Sequence, residues 1–321
     1  MNDQNRCNIN PRKVVVIGCG FVGSAISFCL MQSGLFSEMV LIDADEAKAQ
    51  GEAMDIGHGV PYVGNIRIYA GDYGDVKDAA MIIITAGVSQ KVGESRLDLV
   101  QRNVDIFQMI IPKIKAAGFE GILLIVSNPV DILSYTAWRI SGFPKERVIG
   151  SGTVLDTGRL KYRLGQHLNV DSRSVHAFII GEHGDSEIAA FSSANVSGIA
   201  LSDFCKLRGH LCEEGTYDAI EEQVRNSAYE IIEKKHATYY GIAMAVKRIC
   251  EAIVKDEKSI LPLSHFMEGE YGIRDIYLSM PVVVGKNGIE ARVPITLDEE
   301  EQKALQESAG ILKEISEKIK F

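Results

Sequence analysis

The 321 residues contain no CxxC pair. The six cysteines, Cys7, Cys19, Cys29, Cys205, Cys212 and Cys250, are scattered singly, so neither a zinc knuckle nor a thioredoxin-type redox site is signalled. They read as small apolar residues of a reducing compartment, and no metal site is expected. Long apolar runs are lacking as well: none reaches the roughly 20 residues that cross a bilayer. The opening MNDQNRCNINPR has no apolar core of the signal-peptide kind, and a cytoplasmic protein is expected. There is no low-complexity linker and no internal repeat, so any two domains should meet at a close junction. Basic residues are the minority. Lys and Arg number 34 against 43 Asp and Glu, and the net charge of −9 disfavours nucleic acid or an anionic membrane as the main partner. A local arginine pair could still take a small anion. A composition 46% hydrophobic and 24% charged excludes a disordered chain, and the length suits two domains sharing a large core.

What is present first is alternation. Apolar strands are expected at Lys13–Ile17, Met39–Ile42, Ile66–Ala70, Met81–Thr85, Ile122–Val126 and Arg147–Ile149. Helices are expected between them, at Phe21–Ser33, Asp45–Gly57 and Ser95–Ala117. Continuous apolar strands separated by helices imply a parallel sheet covered on both faces, the doubly wound α/β (Rossmann) pattern. Beyond Gly150–Gly152 the pattern changes. Strands are expected at Ser174–Ile180 and Ile276–Val284, and Lys286-Asn287-Gly288 is a hairpin turn signal that implies antiparallel pairing. A helical stretch from Tyr217 to Val254 should break near His236–Thr238. The segment from Thr296 to Phe321 reads as a capped helix with acids first and lysines last. The expected division is a dinucleotide-type domain over 1–150 and a mixed α+β domain with antiparallel strands over 151–321.

Gly18-Cys19-Gly20-Phe21-Val22-Gly23 lies at the first strand-to-helix turn, where GxGxxG carries meaning. Gly18 permits the turn, Gly20 lets backbone approach a pyrophosphate, and Gly23 lets the helix pack closely. The helix N-terminus offers free N–H groups and a positive dipole end to phosphates. Asp43, at the end of the next strand, stands where a carboxylate accepts both ribose hydroxyls of NAD and repels the extra phosphate of NADP. Asp45 is a rival for that contact. An incidental glycine turn and acid are the bland alternative.

In IIGEHGDSE, His183 sits between two glycines and two acids. Taken alone, a histidine so placed is more often a loop residue than a catalyst. Asp156 and Arg159, three apart, share one face of a helix and could form a plain surface pair.

TAGVSQKVGESRLDLVQRN (85–103), SNPVDIL (127–133), SGTVLDTGRLKYRL (151–164), IGEHGDSE (180–187) and EKKHATYYGIAMAV (233–246) together resemble NAD-dependent L-lactate dehydrogenases of the bacterial type, within the lactate/malate dehydrogenase superfamily. The resemblance runs from Lys13 to the C-terminal helix. It implies His183 as the acid/base of hydride transfer, Asp156 as the carboxylate that orients it, and Arg96 as the residue that polarises the reacting carbonyl from a closing loop. It implies Arg159 as a two-pronged holder of the substrate carboxylate, with Gln90, Asn128 and Thr238 around the substrate. It implies cofactor contacts at Gly18, Gly20, Val22, Gly23, Asp43, Thr85, Ala86, Gly87 and Asn128. Asn128-Pro129 is also a turn signal in its own right, and Thr238 could simply occupy the helix break.

Gln90 stands where malate dehydrogenases need an arginine for a second carboxylate. A neutral side chain there favours pyruvate over oxaloacetate. The implied function is reversible reduction of pyruvate to L-lactate with NADH, in glycolytic fermentation. Malate or broader L-2-hydroxy-acid dehydrogenase is the alternative, and a non-catalytic dinucleotide-binding protein the remote one. The resemblance further implies a homotetramer and an allosteric fructose 1,6-bisphosphate site at His176. Lys161 stands there in place of an arginine, keeping the charge but losing the fork; the plain alternative is a strand histidine at 176 and a solvated helix lysine at 161.

Overall fold

The computed structural model describes residues 9–88, 96–209 and 215–320, with Arg96 in backbone only. The first half is β1 (Asn10–Ile17), α1 (Phe21–Ser33), β2 (Glu38–Ile42), α2 (Glu46–Gly57), β3 (Arg67–Ala70), β4 (Ala79–Ile84), α3 (Arg96–Ala116), β5 (Ile122–Ile125), α4 (Val130–Ser141) and β6 (Val148–Gly150). These strands are parallel, in the order β3-β2-β1-β4-β5-β6. The order reverses between β1 and β4, and open α/β sheets bind ligands at that crevice, outside the carboxyl ends of the strands. Alternate residues of β1 serve opposite faces. Val15 and Ile17 pack with Val104, Phe107 and Ile111 of α3, whereas Val14 and Val16 pack with Ile26 and Leu30 of α1. Both faces being covered explains why the strands read as unbroken apolar runs.

The second half comprises α5 (Val154–Leu168), β7 (Val175–His176), β8 (Ile179–Ile180), β9 (Ile188–Ala189), β10 (Asn195–Val196), β11 (Ile199–Ala200), α6 (Leu201–Arg208), α7 (Thr216–Lys235), α8 (Tyr240–Val254), β12 (Ser259–Glu268), β13 (Arg274–Gly285), β14 (Gly288–Arg292) and α9 (Glu299–Lys318). The antiparallel strands β12, β13 and β14 do not make a sheet of their own. They extend the parallel one through a single bridge, Ser264 to Gly150, giving a nine-stranded sheet. The turn at Lys286-Asn287 closes the β13–β14 hairpin as its sequence implies. The helical pattern breaks where His236 adopts φ 68°, between α7 and α8, and α9 opens with a reciprocal cap between Asp298 and Glu301.

The continuous strand expected over Ser174–Ile180 is corrected. His176 pairs with Asn195 while Ile179 pairs with Ala189, in two separate small sheets. The cause is α5. Thr157 accepts the Ile179 N–H at 2.9 Å and Thr153, the residue capping α5, donates to the Ile179 carbonyl at 2.5 Å, so these side chains take the edge of β8 turned away from β9. α1 packs on α8 and α5 on α7, and a third apolar cluster fills the space among Leu160, Leu164, Val175, Ile179 and Val224.

Candidate active site

The glycine loop is built for close approach. Gly18 has φ 104°, and a Cβ there would lie 2.6 Å from the Ala86 nitrogen. A Cβ on Gly23 would lie 1.9 Å from the Gly18 carbonyl oxygen, so only glycine lets α1 start this near β1. A Cβ on Gly20 meets nothing within 4 Å, and Gly20 caps α1 without any side chain covering its N–H groups. That open, positive helix end beside an acid fits the pyrophosphate and ribose of a dinucleotide. The acid is Asp43, which accepts the N–H of Cys19 at 2.6 Å and of Asp45 at 3.0 Å. Asp45 instead caps α2 by accepting from Lys48, which separates the two rivals. A cleft of about 320 Å³ borders the loop, lined by Gly20, Phe21, Ser24, Lys48, Glu52 and Tyr239 among others.

Thr85 works on the loop itself. Its hydroxyl donates to the Gly18 carbonyl at 2.7 Å, and Ser127 donates to the Ala86 carbonyl at 2.6 Å. Asn103 of α3, fully buried, accepts from the Val88 N–H at 2.8 Å and donates to the Asn128 carbonyl at 3.2 Å. It also stands 3.1 Å from where a Cβ on Gly87 would be. Ser127 and Asn103 thus tie the segments after β4 and β5 together. Val22 is half-buried in α1 and Asn128 is exposed at the sheet's carboxyl edge.

At that edge the two halves meet around Asp156. One of its oxygens is 2.6 Å from His183 Nδ1, and the other accepts from Arg159 at 2.7 Å. The Asp156 side chain is 2% exposed and that of His183 25%. Asp156 and Arg159 do form the pair their spacing allows, but it is a buried one. With Nδ1 held by a carboxylate, Nε2 is the ring nitrogen left to exchange a proton. Burial works against a charged imidazole, but the Asp156 carboxylate outweighs it and raises His183 from 6.5 to about 9. Burial likewise works against the Asp156 anion, and the His183 charge beside it wins, holding this carboxyl below its usual 3.8.

The histidine's main chain is fixed as well. Asp131, buried in the first turn of α4, accepts the His183 N–H at 2.9 Å and the hydroxyl of Ser264 at 2.5 Å. Burial raises Asp131 to about 6 against these hydrogen bonds. The flanking acids look elsewhere: Glu182 accepts from Ser186 at 2.6 Å and Asp185 from Tyr229 at 2.6 Å. A third acid, Glu187, does come close, with a carboxylate oxygen within 4.8 Å of ligand atoms of both His183 and Asp156.

Thr238 is half-buried between α7 and α8. His176 is exposed on β7, and Lys161 is half-buried in α5, where burial lowers its pKa. Gln90 and the side chain of Arg96 lie outside the described residues, as do Cys7 and Cys212. Asn103, Ser127, Asp131 and Glu187 carry no assignment from sequence. All four lie in or beside the motifs quoted above, which was the available signal.

Residues 12–150 match the lactate/malate dehydrogenase NAD binding domain, and residues 153–321 match the alpha/beta C-terminal domain of the same family. The chain belongs to the lactate/malate dehydrogenase family. It is an NAD-dependent oxidoreductase, with the large mostly parallel sheet and C-terminal α/β domain of that family. It is similar to the L-lactate dehydrogenase of Acetivibrio thermocellus, 53% identical over 305 residues, 95% of this chain and 96% of that protein. L-lactate dehydrogenase 1 of Clostridium acetobutylicum is 48% identical over 307 residues, 96% of this chain and 98% of that one. The crystal structure of the minor L-lactate dehydrogenase of Enterococcus mundtii in its ligands-bound form aligns with a TM-score of 0.94 at 42% identity, covering 97% of this chain and 99% of that one. Among the described residues, no helix is long and apolar enough to cross a membrane.

Proposed function

We propose that the chain is an L-lactate dehydrogenase, reducing pyruvate to L-lactate with His183 as the proton donor. The observation that carries this is Asp156, a buried carboxylate engaged by His183 on one oxygen and by Arg159 on the other. When bound, NAD supplies or accepts the hydride at its nicotinamide; Gly18, Gly20, Gly23 and Asp43 would hold its pyrophosphate and ribose, near Val22, Thr85, Ala86, Gly87 and Asn128. His183 is charged at neutral pH in the free protein and gives its proton to the ketone oxygen as the alkoxide forms. Asp156 stabilises that charge and fixes the ring. Arg159, anchored by one nitrogen, presents its remaining donors to the substrate carboxylate. Arg96 polarises the carbonyl, and Gln90, Asn128 and Thr238 complete the pocket.

Gln90 carries the preference for pyruvate. Oxaloacetate would leave a second carboxylate without a cation in a closed site, a penalty of about 3–5 kcal/mol. The division near Gly150, cytoplasmic fermentation, a homotetramer, and fructose 1,6-bisphosphate acting at His176 and Lys161 belong to the same reading. The test is NADH oxidation with pyruvate and with oxaloacetate, each with and without the bisphosphate. Pyruvate should win by about a hundredfold or more. Preference for oxaloacetate would discard the substrate assignment, and equal turnover by His183→Ala would discard the mechanism. No response of the pyruvate KM or of the oligomer mass to the bisphosphate would remove the regulatory site.

A further inference from the structure

Glu187 follows the histidine by four residues and is 4% exposed. One of its carboxylate oxygens lies within 4.8 Å of an imidazole nitrogen of His183 and of a carboxylate oxygen of Asp156. Its Oε1 is buried and has no hydrogen-bond partner among the described residues. The charged groups around it are Asp156 and Arg159 on α5, His183 on its own loop, and Arg225 with Glu221 on α7, and it shares a cleft with Asp218 of α7 and with Asp298, Glu300, Glu301 and Glu307 at α9. Neither arginine is bonded to its carboxylate. Arg159 donates to Asp156 at 2.7 Å. Arg225 donates to the Glu187 main-chain carbonyl at 3.1 Å and to Glu221 at 3.3 Å. A buried carboxylate with an orphan oxygen, next to a second carboxylate, is costly to ionise. Burial first, and Asp156 second, push Glu187 up from 4.5 to about 8, against the pull of His183 and the two arginines.

We propose that Glu187 is a positioning residue for the proton-transfer histidine, a second buried carboxylate beside the imidazole whose charge keeps His183 protonated and extends ketone reduction to higher pH. This rests on His183 being the proton donor. Two carboxylates then serve one imidazole in sequence. Asp156 is ionised throughout, and Glu187 joins it only when the medium begins to draw the proton off the ring. An anion within about 4–6 Å shifts an imidazole upward by roughly one unit or more. A neutral amide of the same shape gives no such support.

The test follows carboxyl and imidazole titrations by NMR in apoprotein labelled at the glutamate side-chain carboxyls and at histidine. One glutamate carboxyl should titrate near pH 8, and its signal should be absent from Glu187→Gln. The His183 midpoint should fall by about one pH unit in that variant and return in Glu187→Asp. The alkaline limb of kcat/KM for pyruvate should move in the same direction, to lower pH. A wild-type spectrum in which every glutamate titrates in the ordinary acid range overturns the proposal even if the variants fail to fold. A His183 midpoint unmoved in folded Glu187→Gln overturns it too. The spectra are taken without substrate, so failure to turn over pyruvate would sink the substrate reading and leave this one standing.

Discussion

Asp156 and His183 set opposite edges to the pH range in which their pairing stabilises the fold. A group raised in the native state contributes fully below its unfolded value and loses that contribution as pH climbs. The His183 contribution is therefore complete below 6.5 and fades toward 9. Asp156 is lowered, so its contribution is present above 3.8 and is lost on acidification below that. Asp156→Asn should return the His183 midpoint to 6.5 or lower, slow pyruvate reduction at neutral pH by about a hundredfold or more, and cost about 3–5 kcal/mol in urea unfolding. A histidine still titrating near 9 in that variant would mean that another group holds its charge. Asn103→Ala should cost about 1–3 kcal/mol, because the Val88 N–H loses its acceptor and the Asn128 carbonyl its donor. It should also raise the KM for NADH, since those groups flank the crevice; steady-state kinetics would show an unchanged KM if the bridge were purely structural. At this scale the sequence exposes types rather than partners. His183 stands out between its glycines, yet its carboxylate partner is 27 residues upstream and reaches it only through the fold. Nothing in SNPVD says that Asp131 would accept a main-chain N–H from the histidine's own loop.

The turn between β1 and α1 separates two uses of glycine. At Gly23 a methyl group would strike the Gly18 carbonyl, whereas at Gly20 it would meet open space. Gly23→Ala should therefore lower the melting temperature and weaken NADH binding together. Gly20→Ala should leave the melting temperature within about 2 °C and weaken NADH binding tenfold or more, because only the ligand would feel the added carbon. Thermal melts beside fluorescence titration of NADH would decide, and equal losses of stability in the two variants would refute the distinction. The strands of the first half were legible to within about three residues because burial on both faces leaves their central stretches apolar; the widest miss is at β1, whose polar opening Asn10-Pro11-Arg12 carries no such signal. β12 was not. Its Pro262 faces Pro281 across the ladder, and Ser264 and His265 are buried polar residues in mid-strand, so the strand lacks both the apolar run and the alternation that would announce it. β7 and β8 were read as one continuous strand, and the tiny strands β9 to β11 escape notice because two residues set no period.

Across the whole molecule, the composition and the alternation of elements pointed to a doubly wound sheet, but not to its continuation into the second half. β12 adds to β6, and the buried Asp131 of α4 takes hydroxyls from Ser264 on β12 and Ser279 on β13. Halves joined through a shared sheet and a buried polar cluster should unfold together. Calorimetry of the apoprotein should show one transition, and two resolved peaks would show independent units. The same cluster has a bearing on recombination. Crossing two parents at Gly150 looks safe along the chain, since the boundary is short and lies between motifs. It would nevertheless draw Asp131 from one parent and Ser264, Ser279 and the His183 loop from the other. A hybrid library cut there should therefore yield active members chiefly where the parents agree at all four positions, making a seam that is quiet in the chain the most selective one in space.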